Sequence, residues 1–285
     1  MSATLETGSR PAPVVTIEGG RTTWRAELAA VLRARELLGF LVWRDIKVRY
    51  QQTIFGVGWA VLQPLLTMVV FALILGRLAG LQAHLSVSYA AFALAGLVPW
   101  TFAANGLTAG ANSLVGSQHL ITKVYFPRLL VPLAVVGAGL ADLVVGLGLM
   151  FLLVPLLGVP PTWSWLALPF ILALLVVAVG ALACLLAGLT ALYRDVRFVV
   201  PFLVQVGMFV TPVLWPLELV GPRWRWLVLL NPFAGCLEAS RAAVLGTWDS
   251  QTTLGLVLAS VTIAALVPLA LMSFARVEER LADVI

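Results

Sequence analysis

Residues 56–75 read GVGWAVLQPLLTMVVFALIL and hold no Asp, Glu, Lys or Arg. A helix of twenty residues rises about 30 Å, which matches the hydrocarbon thickness of a bilayer. The stretch therefore reads as a membrane-spanning helix, and the rest of the chain repeats its pattern. Residues 78–122 are again free of Asp, Glu, Lys and Arg. That run is too long for one crossing, so the polar patch 82–88 reads as a loop and 89–110 as a second span. A third span covers about 129–157, interrupted by Asp142. Gly158-Val159-Pro160-Pro161 then ends it, because Pro and Gly in tandem cannot continue a helix. Further spans fall at about 166–192, 198–217 and 252–274. The expected fold is all-α and integral to the membrane, with six transmembrane helices.

Composition agrees with this reading. Of 285 residues, 61% are hydrophobic and 11% charged, with a mean hydropathy of +1.02. A soluble domain carries about 25% charged residues. The formal charge of +5 and pI near 9.8 do not point to nucleic acid, since the basic residues lie in short loops beside apolar spans. Those loops set the orientation. With the N-terminus inside, fourteen of the eighteen Lys and Arg residues fall on cytoplasmic segments. Arg77, Arg223, Arg225 and Arg241 remain outside, so the positive-inside rule predicts both termini in the cytoplasm. Residues 1–36 are rich in Arg and lack an apolar core with a cleavage site, so no signal peptide is expected. Cys184 and Cys236 belong to no CxxC or Cys/His cluster and read as structural thiols.

Two segments are expected to enter the bilayer without crossing it. Residues 218–251 are too apolar for an ordinary outer loop. They divide at the turn Asn231-Pro232 into a segment around 224–230 and another at 233–245. Each is shorter than a crossing, so a helical hairpin dipping into the outer leaflet is predicted, the other reading being a cap lying flat on the surface. Trp215, Trp224, Trp226 and Trp248 suit headgroup depth. At the inner face, residues 41–55 read LVWRDIKVRYQQTIF. On a helix, Val42, Trp43, Ile46 and Tyr50 form an apolar strip and Asp45 pairs with Arg49 at i, i+4. Leu41 and Val48 lie off the strip, as expected of an interfacial helix touching lipid on one side and protein on the other.

The chemistry of an enzyme is missing. His84 and His119 fall on opposite sides of the bilayer, and no HExxH, GxSxG or paired acidic motif occurs. Neither lysine follows a glycine, since Lys47 follows Ile46 and Lys123 follows Thr122, so the chain has no P-loop. Any energy for transport must come from a partner. Asp142 is the carboxylate set well inside a span. It reads either as a structural acceptor for a neighbouring helix or as part of a substrate path or gate. The loop Ser117–Arg128 mixes basic residues with Leu120, Ile121, Val124, Tyr125 and Phe126, a composition suited to a short helix held in a groove on another protein.

Four stretches resemble the type-2 ABC exporter permeases, in particular those exporting lipid-linked polysaccharides such as O-antigen, teichoic acid and galactan. They are WRDIKVRYQQTIFGVGWAVLQPLLTMVVFALILGRL (43–78), LITKVYFPRLLVPLA (120–134), YRDVRFVVPFLVQVGMFVTPVLWP (193–216) and LLNPFAGCLEASRAAVLG (229–246). The resemblance runs from about Leu37 to the C-terminus as one transmembrane domain, 37–285. It leaves residues 1–36 as a cytoplasmic lead-in. It implies a homodimer in the bacterial inner membrane, driven by two separate ABC ATPase subunits that hold ATP and Mg, with no cofactor in this chain. It also implies a gate helix at about 37–55, whose Arg44, Lys47 and Arg49 attract the lipid diphosphate or serve only to set topology. A coupling segment is implied at Gln118, Leu120, Ile121, Lys123, Tyr125, Phe126, Pro127 and Arg128. Path-facing aromatics are implied at Trp59, Phe71, Trp100, Phe102, Phe202 and Phe209, and such faces suit the C–H surfaces of sugar rings. The expected cargo is an undecaprenyl- or decaprenyl-diphosphate-linked glycan. A permease for drugs or small lipids is the alternative within the family, and an intramembrane lipid-modifying enzyme the alternative outside it.

Overall fold

A computed structural model describes residues 24–51, 58–123 and 126–284, and among these no strand occurs. The N-terminal lead-in up to residue 23, the end of the expected gate helix and start of span one at 52–57, and Val124 and Tyr125 lie outside the described residues. Among the described residues eleven α-helices follow in order: α1 (Trp24–Arg33), α2 (Arg35–Tyr50), α3 (Gly58–Phe71), α4 (Tyr89–Gly116), α5 (Gln118–Lys123), α6 (Leu130–Leu156), α7 (Leu168–Leu192), α8 (Val196–Val210), α9 (Pro222–Leu229), α10 (Pro232–Leu245) and α11 (Ser250–Val284). Among the described residues, five helices are long and apolar enough to cross a membrane: Gly58–Leu78, Tyr89–Gly116, Leu130–Leu156, Trp163–Leu192 and Ser250–Glu278. A sixth crossing results if α9 and α10, bent by 106° at Asn231, count as one.

The first crossing is α3 continued by π-helical turns over Ala72–Leu78. α4 and α11 also run past their predicted ends, reaching Gly116 and Val284 rather than about 110 and 274, while α6 and α7 end within one residue of theirs. The predicted fifth span, 198–217, differs more. Its helix α8 has 15 residues. At about 1.5 Å each these rise about 22 Å, short of a full crossing. The helix stops because Thr211 precedes Pro212, and the residue before proline is pushed out of helical geometry. Residues 211–214 form a buried turn instead.

That turn is held by side chains from two other helices. Arg241 on α10 is 3% exposed and donates from Nη2 to the carbonyls of Pro212 at 2.6 Å and Val213 at 2.8 Å. Its Nη1 donates to Glu238 at 2.7 Å, and its guanidinium lies 4.0 Å over the Phe92 ring. Tyr89 on α4 donates its hydroxyl to the Leu214 carbonyl at 2.7 Å. Asn231 caps α10 and donates to Thr211 Oγ1 at 2.9 Å. Gly96 is required opposite, since a Cβ there would lie 2.6 Å from both Arg241 Nη2 and the Val213 carbonyl. Arg241 is thus a structural clamp rather than an outer-loop charge.

The two outer helices match the predicted segments, but neither lies as a simple cap. α10 is almost wholly buried among α4, α7 and α11, while α9 stays at the surface with Trp224 and Trp226 exposed. Packing is closest where side chains are smallest. A Cβ on Gly235 of α10 would sit 2.3 Å from the Gly255 carbonyl of α11, and one on Gly110 of α4 would sit 2.6 Å from Ala183 Cβ of α7. α4 is the central helix, with 78% of its most apolar window buried, whereas α3 has 11% buried and hangs at the periphery.

Arg241→Met should lower the unfolding temperature of the purified protein by several degrees, because two buried carbonyls lose their donor and Glu238 its partner. The exposed Arg223→Met should leave it unchanged. Gly235→Val should cost about 1–3 kcal/mol by overpacking against a backbone carbonyl that cannot yield, read as loss of monodisperse protein.

Candidate functional site

A cavity of about 790 Å³ lies between the C-terminal end of α2, the start of α3, α4 and α6. It brings together four of the residues singled out from sequence: Arg49, Trp59, Phe102 and Asp142. α2 does not float free at the interface. It packs along α6, where Val42 fills the notch left by Gly137, which a Cβ would close to 2.8 Å. The predicted strip is rotated as a result: Leu41 is buried, and Trp43 is exposed. The predicted Asp45–Arg49 pair does not form either. Asp45 takes its ion pair from Arg44 at 2.8 Å, while Arg49 donates to Asp142 on α6. Arg49 and Asp142 are both part-buried, and an ion pair between charged donor and acceptor is stronger than a neutral hydrogen bond.

Tyr50 donates its hydroxyl to the other oxygen of Asp142. Burial, and then that hydrogen bond, push the Tyr50 phenol up to about 12, so it stays a donor at all ordinary pH. Asp142 is therefore a docking point for α2, the structural role, and it also lines the cavity, the role expected of a path residue.

Opposite this cluster, α4 presents Thr101, Asn105, Thr108 and Asn112 to the cavity. Their spacing of four, three and four places them on one helix face. They extend over twelve residues, a rise of about 17 Å along the helix, from near the end of α4 at Gly116 towards its middle. α3 adds Trp59, 54% exposed, and Gln63. Neither charge nor aromatic character marks this ladder in the sequence; its signal is the i, i+4, i+7, i+11 recurrence of polar residues inside a charge-free run.

The remaining candidates are dispersed. Trp100 is buried and packs α4 against Gly207 of α8, and Phe71 is half-buried against the main core. Phe202 and Phe209 stand 63% and 60% exposed on α8. With Phe198 they form a bare aromatic stripe on one face. Lys47 is exposed and makes no ion pair among the described residues. In the expected coupling segment, Leu120 and Ile121 pack on the chain's own cytoplasmic-end cluster with buried Phe126, Gln118 and Lys123 are exposed, and Pro127 is half-buried. Arg128 Nε lies 3.8 Å from Glu278, tying this segment to the end of α11. Tyr125 is outside the described residues.

Residues 36–245 match the model of the ABC-2 type transporter family. The chain is 31% identical over 210 residues to the O-antigen export system permease protein RfbA of Myxococcus xanthus, covering 73% of this chain and 80% of that one. It is 28% identical over 209 residues to the O-antigen export system permease protein RfbA of Klebsiella pneumoniae, covering 72% of this chain and 79% of that one. The matched range takes in α2 to α10 and so contains every element around the cavity.

A double-mutant cycle checks the docking of α2. Arg49→Gln and Asp142→Asn should each destabilise, and the pair together should cost less than the sum by about 1–2 kcal/mol. A cysteine at position 46 should become more reactive to an aqueous maleimide in either single variant, as α2 loosens from α6.

Proposed function

The chain belongs to the ABC-2 type transporter family, and from that premise we propose that it exports a polyprenyl-diphosphate-linked polysaccharide across the bacterial inner membrane. It is a multi-pass permease subunit, a transport component, and its family membership implies association with an ABC ATPase. The observation that carries the finer reading is the match to two O-antigen export permeases over nearly three quarters of the chain. The cavity supports it, since a polar ladder beside an exposed indole suits a hydroxylated cargo better than an apolar one.

In this reading two copies of the chain form the path and two ATPase subunits drive it. The exposed stripe on α8 and the bare side of α3 face the path or the second copy, which supplies the cover that one subunit lacks. Lys47, exposed and without a carboxylate partner among the described residues, meets the lipid diphosphate at the inner surface; Arg44 and Arg49 are already paired. ATP-driven closure of the partner pushes on α5 through Gln118 and Lys123. Motion passes through Phe126 and Arg128 into the cytoplasmic ends of α6 and α11. The cargo is threaded outward between subunits, with α9 and α10 at its exit.

Deletion of the gene should leave lipid-linked glycan accumulating on the cytoplasmic face, with surface polysaccharide lost by immunoblot. The purified chain should show no ATPase activity until the ABC partner is added. A cysteine at 123 should crosslink to that partner. Turnover of a lipid substrate by the chain alone would overturn the transport reading.

A further inference from the structure

Four ion pairs form among the described residues, and three are closed by hydrogen bonds: Arg44–Asp45, Arg49–Asp142 and Arg241–Glu238. The fourth is open. Arg128 Nε stops 3.8 Å from Glu278 Oε1, beyond hydrogen-bond reach. Nη1 of the same guanidinium is buried and has no hydrogen-bond partner among the described residues. A charged donor left buried and unmade is costly, so this arrangement relaxes by closing. An approach of about 1 Å brings Nε to ordinary bonding distance.

The two residues belong to different elements. Arg128 ends the segment after α5 and opens α6, because the Val131 N–H donates to its carbonyl at 3.1 Å. Glu278 lies near the cytoplasmic end of α11, a helix beyond the residues matched to the family. α11 contains Pro268, which denies the Ala264 carbonyl its helical donor and makes a bending point. That proline stands where two packing clusters divide. Outward of it, Ala259 and Ile263 are buried in the main core; inward of it, Leu271 and Phe274 are buried in the cytoplasmic-end cluster. Val267 touches both. The inner arm of α11, residues 269–278, can therefore bend at Pro268 while the outer arm stays in the core. Glu278 lies about 15 Å along the helix from the proline, so closure needs a bend of only about 4°.

α1 is placed to follow that bend. It packs on α11, and its Val31 is buried in the same cluster as Leu271 and Phe274. α1 also passes into α2 with little break: the Ala34 N–H donates to the Ala30 carbonyl and the Leu38 N–H to the Ala34 carbonyl, each at 3.0 Å. Motion of the inner arm thus reaches α2 at its N-terminal end, opposite the end held by Asp142.

We infer that Arg128 is a positioning residue for ATP-driven transport. Displacement of the segment after α5 closes its pair with Glu278, the inner arm of α11 bends at Pro268, and α1 carries the bend into α2. This rests on the reading of the chain as an ATPase-driven permease, and it gives α11 and α1, which the family match leaves out, a part in the cycle.

Hydrogen–deuterium exchange on the intact permease–ATPase complex in lipid nanodiscs tests this, nucleotide-free against trapped with ATP and vanadate. In the native chain, trapping should alter exchange in peptides covering 118–123, 269–278 and 24–33. Arg128→Gln should keep the response at 118–123 and abolish it at the other two. Arg128→Glu combined with Glu278→Arg should restore it, together with the surface polysaccharide that either change alone lowers by about tenfold. Pro268→Ala separates coupling from folding. By returning a helix hydrogen bond it should raise the unfolding temperature, yet damp both the α11 response and export. A full response at 269–278 and 24–33 in Arg128→Gln, or none there in the native chain, would make the pair a static contact and overturn the inference. The cargo reading fails separately. If surface polysaccharide survives deletion of the chain while trapping still alters α11 and α1, the cargo is wrong and the coupling route stands. If polysaccharide is lost and α11 does not respond, the route is wrong and export stands.

Discussion

Hydrocarbon offers no hydrogen bonds, so every polar group taken into it must meet a partner carried by the protein. The two ends of this molecule are organised by that requirement. At the cytoplasmic end the carboxylate of Asp142 draws Arg49 and Tyr50 inward, and α2 is laid against α6 as a consequence. At the outer end Arg241 enters the bundle on α10 and is met by Glu238, two carbonyls and the face of Phe92. In each case a charge that would be costly alone fixes the position of a segment that does not itself cross the membrane. Such segments carry less apolar surface than a full span, so lipid alone would position them weakly.

Between those ends, packing rests on small residues. Lipid tails are as apolar as leucine, so helices in a bilayer associate through close contact and backbone approach. Gly106 and Gly110 on α4 let Val179 and Ala183 of α7 come in, and Gly235 brings α10 onto the backbone of α11 at Gly255. The contacts make α4, α7, α10 and α11 one tight unit. α3 and α8 are attached to it more lightly and keep large exposed apolar faces. A chain built this way has a closely packed half and a half with bare apolar faces.

Much of this was legible in the chain. Charge-free runs of about twenty residues locate the crossings, because each charge at mid-bilayer costs enough to be rare. The short helices α9 and α10 were legible from the Asn231-Pro232 turn and their lengths. The length of α8 was not, because apolar composition continues through Thr211–Trp215 while the helix ends at Pro212 and the turn is held by distant side chains. Local rules also misplaced Arg49. Its i, i+4 neighbour Asp45 is a valid surface partner, but a carboxylate far along the sequence won, and no local pattern records that. The site was half visible: Arg49, Trp59, Phe102 and Asp142 stood out as types, while Thr101 and Asn105 are ordinary residues that only the fold brings to the cavity wall.

The link between α2 and α6 also has a consequence in time. Arg49 leaves the ribosome 93 residues before Asp142 does. At about 5–20 residues per second, that is a wait of about 5–20 s. Throughout that interval the newborn α2 has no acceptor in the bilayer, so it must rest at the headgroups with its arginine hydrated. It moves inward only once the third crossing has been inserted. Docking of α2 is therefore a late step in biogenesis, and a chain arrested before Asp142 is made would hold α2 in the wrong place.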